Sequence, residues 1–560
     1  MLLPHIFLIS VFFLGSLFHL SVIHLNTILT NADSFAYLQM SYFLKNGLLE
    51  GFGTGWFGFL YSACVAFGNL FVENDFFAGQ IINLILFNIG GVILFFIGKR
   101  YLNIHYNIVL ILIYFLSSAL LNYNINILSE NLFIPLFLLL FLFLQRIGEN
   151  SNFFNALMIG IICAFLYFTR SESFIYILSL GIIGLIFLKR KLLLGKEFIK
   201  YSMTIILSFF IIIAPYVYYL HTITGEWGLT NKGSSNIRQA MMRGTEKMDD
   251  EGFEKAVGEL SSDNHHLIAG FVGGLKYDKP SENYSISNFL LQDKKSTLKR
   301  FLTNQKKLYS QTLPKMLLGD ILKLYKDPGF IFYDNFLILI IIFIPLVFFI
   351  LGGLNLLFKK NSLFMPIFLS LFLVGSIFFT LFFVLERYFI IFLPLMFLIM
   401  IYGAQEFLTS FEKFEVGKYI ASLGIFVFVY YMGILFFSQN LNNSKYEVKK
   451  VAGEWIQENI KGLGKKDPSE LKIMERFPIM TYYAGTKERW LTPYTSKISN
   501  LIEYAQYNKI DLLVVDSLDF KTYRKDLSVL LNKDIKYQNL EFVKMLTLNG
   551  EKVLIYKFNY

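Results

Sequence analysis

Four short stretches hold the acids and cations of this chain that could do chemistry. The first is Thr30-Asn31-Ala32-Asp33-Ser34-Phe35-Ala36-Tyr37-Leu38, in which Asp33 is the first acidic residue. A carboxylate there can take a proton from an attacking hydroxyl. It can equally cap the helix predicted by the spacing of Phe35, Leu38 and Tyr42, a short amphipathic helix on a membrane surface. The second stretch, Leu128-Ser129-Glu130-Asn131, places an acid at the start of a long apolar run. Glu130 either complements that helix N-terminus or serves as a second acid beside Asp33. The third and fourth are Tyr167-Phe168-Thr169-Arg170-Ser171-Glu172 and Glu386-Arg387-Tyr388, each between two apolar runs. Arginine binds phosphate oxygens with two parallel hydrogen bonds, so Arg170 and Arg387 together suggest an anion site. The bland reading is a pair of local ion pairs, Arg170 with Glu172 and Arg387 with Glu386. Glu73 and Asp75 read as caps.

The elements that must position these residues are membrane helices. Hydrophobic residues make up 55% of 560 positions, charged residues 16%, and there are 62 Phe. With a mean hydropathy of +0.52, this is the composition of an integral membrane protein. Cys64 and Cys163 lie in apolar surroundings and suggest neither disulfides nor a metal site. The net charge of +10 comes without the interleaved basic and aromatic residues of a nucleic-acid binder. The first apolar run lacks a basic n-region and a cleavage site, and reads as a retained span. Spans are expected near Pro4–Ile23, Phe76–Gly98, His105–Leu121, Leu132–Leu144, Phe153–Phe168, Phe174–Leu188, Tyr201–Leu220, Phe330–Phe358, Leu363–Leu385, Tyr388–Leu408 and Tyr419–Phe437, about eleven in all. Trp56–Phe71, short and interrupted by Gly, reads as re-entrant or surface-lying.

Lys99-Arg100, Arg146, Lys189-Arg190-Lys191 and Lys359-Lys360 fall at every second boundary, which the positive-inside rule makes cytoplasmic. The Asp33 stretch, the Asn122–Glu130 loop, the Arg170–Glu172 turn, the polar segment His221–Asp327, Glu386-Arg387 and the tail then lie outside. In that long outer segment, His265-His266 has no neighbouring ligand pattern to support a metal. The expected division is a membrane domain over 1–439, with outer loops 24–75 and 221–328, and a second domain over 440–560. In the tail, Val448–Ile460 reads as a helix with Val451, Trp455 and Ile456 on one side. Leu471–Met474 and Leu512–Val515 read as buried strands, and Val543–Leu548 and Lys552–Phe558 as a hairpin around Asn549-Gly550. That is an α/β domain without a glycine-rich phosphate loop.

The order of these features resembles the GT-C membrane glycosyltransferases. An acid follows the first span, Ser-Glu-Asn opens the fourth, Arg-Ser-Glu follows the fifth, and Glu-Arg-Tyr precedes the tenth. Arg387-Tyr388-Phe389-Ile390-Ile391-Phe392-Leu393-Pro394 is similar to that group's Arg-Tyr…Leu-Pro segment. Glu454-Trp455-Ile456-Gln457-Glu458-Asn459 and Tyr482-Tyr483-Ala484-Gly485 also look like it. The branch is the one with protein O-mannosyltransferases, lipid A aminoarabinose transferases and RgtA/B/C/D-like proteins. Each motif is short; their order and spacing carry the resemblance, which covers most of the chain and His221–Asp327 least.

The resemblance implies a GT-C-like bundle of about eleven helices with an extracytoplasmic α/β domain, in a bacterial cytoplasmic membrane. It implies transfer of a sugar from a polyprenyl-phosphate-linked donor to a protein, lipid or glycan acceptor on the outer face. Asp33 would be the general base, Arg170 and Arg387 would hold the donor phosphate, and Glu172, Glu386, Tyr388 and Tyr37 would support them. Many relatives carry an acidic pair where Asp33-Ser34 stands, which makes Glu130 the first choice for a partner acid. The aminoarabinose transferases carry a Pro-rich motif with a Lys where this chain has Gly53-Thr54-Gly55-Trp56. A polysaccharide polymerase or ligase, and a flippase for lipid-linked sugars, are the competing readings. No ligand cluster demands a divalent metal, and the donor lipid is the one partner implied besides the membrane.

Overall fold

The computed structural model describes residues 2–230, 259–260, 294–318, 332–410 and 445–560, except 26–27, 54, 191, 193–194, 226, 360–361, 383, 487–489, 493, 496–497 and 522–523. Its main helices are α1 (Leu2–Leu25), α2 (Ala32–Lys45), α3 (Phe59–Gly68), α4 (Asp75–Gly98), α5 (Ile104–Leu116), α6 (Ser118–Ile125), α7 (Glu130–Glu149), α8 (Phe153–Thr169), α9 (Phe174–Lys189), α10 (Gly195–Thr224), α11 (Lys294–Lys307), α12 (Phe332–Phe358), α13 (Phe364–Phe382) and α14 (Leu393–Ser410), followed by α15 (Glu447–Glu458), α16 (Ile479–Tyr483) and α17 (Ile498–Asn508). The chain forms two compact units. One comprises Met1–Leu25, Gln80–Trp227 and Phe301–Asn440; the other comprises Asn26–Gly79, Gly228–Arg300 and Leu441–Tyr560.

The first unit is a bundle of apolar helices. Six described helices are long and apolar enough to cross a membrane, and α5 with α6 makes a seventh if that bent pair is one span. Each expected span is helical except Tyr419–Phe437, which lies outside the described residues, as does His265-His266. Two of the spans depart from the expected course. The span expected over His105–Leu121 breaks at Ser117 with a bend of 49°, because Ser117 leaves the helix and its hydroxyl caps the next one at Leu120. The freed Phe115 carbonyl meets His19 Nε2 of α1 at 3.1 Å, and His19 Nδ1 lies 3.3 Å from Asn124 Oδ1. The span expected from Tyr388 becomes helical only at Leu393, after two 3₁₀ turns. Part of the long polar segment forms α11, which Asn304 ties to the Thr380 carbonyl at the end of α13. Where α12 and α14 cross, a Cβ on Gly352 would fall 2.0 Å from the Ile399 carbonyl oxygen, and one on Gly403 1.9 Å from that of Phe348. Only glycine permits that approach.

The second unit joins α2 and α3 to an α/β domain. The expected re-entrant segment contains α3, ten residues long and too short for a span. The sheet has strands β1 (Ile473–Glu475), β2 (Trp490–Leu491), β3 (Leu512–Asp516), β4 (Leu540–Leu548) and β5 (Glu551–Phe558) in the order β2-β1-β3-β5-β4. The first three are parallel and the last two antiparallel. Along β3 the side chains alternate between two cores. Leu512 and Val514 pack with α15, Leu513 and Val515 with α17. The hairpin forms at Asn549-Gly550, both with positive φ as a type I′ turn requires. The helix expected at Val448–Ile460 buries Val448, Ala452 and Ile456. Val451 is 39% exposed: it sits about 100° round the helix from its neighbours, which turns it off the core face.

Candidate active site

In the first unit, three distant residues converge. Glu130 opens α7, Arg170 ends α8, and Arg387 lies in the turn before α14. Glu130 is fully buried. Its Oε1 accepts from Arg170 Nη1 and, at 2.6 Å, from Arg387 Nε. Carboxylate and guanidinium stay charged at such a distance only because each neutralises the other's burial. One carboxylate is thus shared by two guanidiniums. Glu172 adds a looser contact to Arg170 at 3.8 Å. The Arg170 guanidinium also lies 5.5 Å from the Tyr388 ring centre, a cation–π arrangement. Tyr388 stacks on Phe379 at 4.2 Å, and its carbonyl accepts from the Tyr176 hydroxyl at 3.3 Å.

The local pairing of Arg387 with Glu386, the bland alternative to an anion site, does not form among the described residues. Glu386 bonds Lys315 at 2.8 Å instead, because the 3₁₀ turn points neighbouring side chains in different directions. Arg170, Glu172, Arg387, Tyr388 and Tyr176 line a narrow cleft whose free volume of about 10 Å³ holds a single water at most. A phosphate entering it must displace side chains.

Asp33 belongs to the second unit. The cap of its helix is Asn31, whose Oδ1 accepts the Asp33 N–H at 2.9 Å, so the capping role considered for Asp33 falls to its neighbour. Asn74 likewise caps α4, in place of Glu73 or Asp75, by accepting the Phe77 N–H. Asp33 remains in the first turn, where the helix dipole favours its negative charge. The rest of α2 is more enclosed than a surface helix, since Ser34 through Ser41 are buried and Tyr42 is exposed. Tyr37, one turn after Asp33, packs edge-on against Phe57 and Tyr61, each at 5.2 Å. Ser34 Oγ is buried and has no hydrogen-bond partner among the described residues. Among the described residues no group of three His, Cys, Asp or Glu could hold a metal ion.

Sequence reasoning missed Lys315, Tyr176 and the C-terminal residues that touch the Asp33 region. Tyr483 Oη accepts the Leu29 N–H at 2.8 Å, and the Tyr482 ring meets Phe35 edge-on at 6.4 Å. The Tyr482-Tyr483 pair was visible as a motif, and its target was not.

No protein-family model matches the chain, and no curated protein matches it in sequence. Among solved structures, the archaeal oligosaccharyltransferase AglB from Archaeoglobus fulgidus, in complex with an inhibitory peptide and a dolichol-phosphate, is similar with a TM-score of 0.52. The match has 12% identity and covers 96% of this chain and 72% of that one. The apo form of the Archaeoglobus fulgidus oligosaccharyltransferase gives 0.50 at 11% identity, over 92% and 70%. ArnT from Cupriavidus metallidurans bound to undecaprenyl phosphate aligns over 99% of this chain and 97% of its own, with 9% identity and a TM-score of 0.40. The fold assignment rests on the archaeal pair: the chain has the GT-C fold, a membrane helix bundle with a C-terminal α/β domain.

Proposed function

We propose that the chain is a membrane glycosyltransferase that moves a sugar from a polyprenyl-phosphate donor to a protein, lipid or glycan acceptor on the outer face of the membrane. The observation that carries the reading is the convergence of Arg170 and Arg387 on Glu130 in a chain of GT-C fold. The dolichol-phosphate in the archaeal neighbour supports a lipid phosphate as ligand. A sugar phosphate is already activated, so no nucleotide site is needed. The acceptor hydroxyl attacks the anomeric carbon, the bond from that carbon to the phosphate oxygen breaks, and the configuration inverts. Asp33 takes the hydroxyl proton. The guanidiniums of Arg170 and Arg387 steady the charge that builds on the departing polyprenyl phosphate. Glu130 keeps the two arginines together, and Tyr388, Glu172, Glu386 and Tyr37 hold their surroundings.

The test uses purified full-length protein in detergent with radiolabelled polyprenyl-phosphate sugars and candidate acceptors. Transfer is expected, and Asp33→Asn should lower it by about 10²–10⁴-fold with an unchanged thermal midpoint. Full activity in that variant rejects Asp33 as the base. Lipid movement across vesicles without transfer points to a flippase.

A further inference from the structure

Glu475 is a buried carboxylate that the proposed chemistry does not use. It ends β1 and is fully inaccessible. Its two oxygens accept the second and third N–H groups of α16, Met480 at 3.2 Å and Thr481 at 2.7 Å. These are donors a helix cannot satisfy within itself. The short helix so anchored ends in Tyr482 and Tyr483. Tyr483 Oη accepts the Leu29 N–H at 2.8 Å, four residues before Asp33. Tyr482 reaches the same region twice: its ring meets Phe35, and its hydroxyl accepts from the backbone of Phe76 at the start of α4. Opposite these contacts, α16 lies so close to α15 that a Cβ on Gly453 would fall 2.5 Å from Tyr483 Cβ. The tyrosine backbones are therefore fixed from behind by α15 and from their N-terminal end by Glu475.

We propose that Tyr482 and Tyr483 are positioning residues for Asp33, and that Glu475 holds them in place. The inference rests on the reading of Asp33 as the general base. The contacts fall on the segment entering α2 and on the helix itself, on either side of Asp33 in sequence. They set where the segment that carries the carboxylate stands. A general base must be held within hydrogen-bond reach of the proton it takes, and a small displacement lowers the rate of the chemical step more than it lowers binding.

Three full-length variants in detergent test the clamp: Tyr483→Phe, Tyr482→Phe and Glu475→Gln. The phenylalanines delete one hydroxyl each and keep the rings. The glutamine turns one acceptor oxygen into a donor facing an N–H. Amide hydrogen exchange is read by mass spectrometry. Tyr483→Phe should speed exchange at Leu29 by about three- to tenfold, the loss of one hydrogen bond, and leave Phe76 unchanged. Tyr482→Phe should do the reverse. Glu475→Gln should speed both together, with the β4–β5 hairpin still protected. With undecaprenyl-phosphate mannose and the other labelled lipids as donors, each variant should lower kcat and leave the donor KM within about twofold. Exchange unchanged at both amides overturns the proposal, and so does a raised KM at unchanged kcat. If the unsubstituted protein transfers no sugar, the reading of Asp33 falls, and the exchange measurements still decide whether the tyrosines fix this segment.

Discussion

Glu130 shows how a residue nominated for one task can be placed for another. It was expected as a partner acid for Asp33, and it stands between two guanidiniums. Replacing it with Ala leaves two cations facing each other with their shared counter-charge gone. Breaking a buried ionic cluster in this way costs about 3–5 kcal/mol, so Glu130→Ala should lower the thermal midpoint in detergent and abolish transfer together. The arginines themselves were legible, because basic residues are out of place at those boundaries. Their partner was not, since it lies 40 and 257 residues away and sequence suggests only near neighbours. Glu475 makes a second residue-scale case. Burial raises its carboxyl from 4.5 to about 7, against the opposing pull of the Thr481 and Met480 amides and of Lys449. A folded-state value above the unfolded one means that the fold favours the neutral acid. The stabilisation is complete below the unfolded value and is lost as pH rises through about 7, by roughly 3 kcal/mol in all. Asp516, raised to about 6 chiefly by burial, slopes the same way. Lys449, bonded to Asp519 and 3.3 Å from Asp516, is pushed above its ordinary value and titrates beyond this window. Exchange protection of the β3 and β5 amides should therefore fall between about pH 4 and pH 7, and Glu475→Gln should flatten much of that slope.

Among the elements, the apolar runs announced themselves and the points where they bend or touch did not. A helix of Phe, Leu and Ile is evident from composition. A break at Ser117 depends on which donors the next turn can satisfy, and composition does not express that. The tail divides similarly. Asn549-Gly550 specified its turn locally, whereas the core face of α15 was set by the sheet beneath it and excluded Val451. Glycine contacts are the least visible feature, since Gly352, Gly403 and Gly453 matter through backbones far away in sequence. Gly403→Leu should separate α12 from α14 and cost several-fold in yield of folded protein, read by gel filtration in detergent. Gly453→Ala adds a methyl against the Met480 carbonyl, 2.7 Å from the new Cβ. It should speed exchange at Leu29 and Phe76 with the hairpin intact, as is expected of Glu475→Gln.

At the scale of the whole molecule, alternating basic boundaries predict sidedness. In a Cys64→Ser, Cys163→Ser background, cysteines placed at the exposed positions Lys99 and Lys189 should resist a membrane-impermeant maleimide in intact cells, and one at Asn549 should react; the reverse pattern rejects the orientation. The fold class was readable because membrane insertion demands long apolar helices and the tail's strands and turns are locally coded. The division into two units, with 26–79 grouped with the C-terminal domain, was not, because it depends on packing between segments hundreds of residues apart. The seam between His19 and the break at Ser117 has a consequence for biosynthesis. His19 meets partners that lie about a hundred residues downstream, which a ribosome adding about 5–20 residues per second delivers roughly 5–20 seconds later. Until then the imidazole lacks both partners, and a buried polar group left without a hydrogen bond costs about 1–3 kcal/mol. The first span therefore cannot reach its settled packing before α5 and α6 have been made.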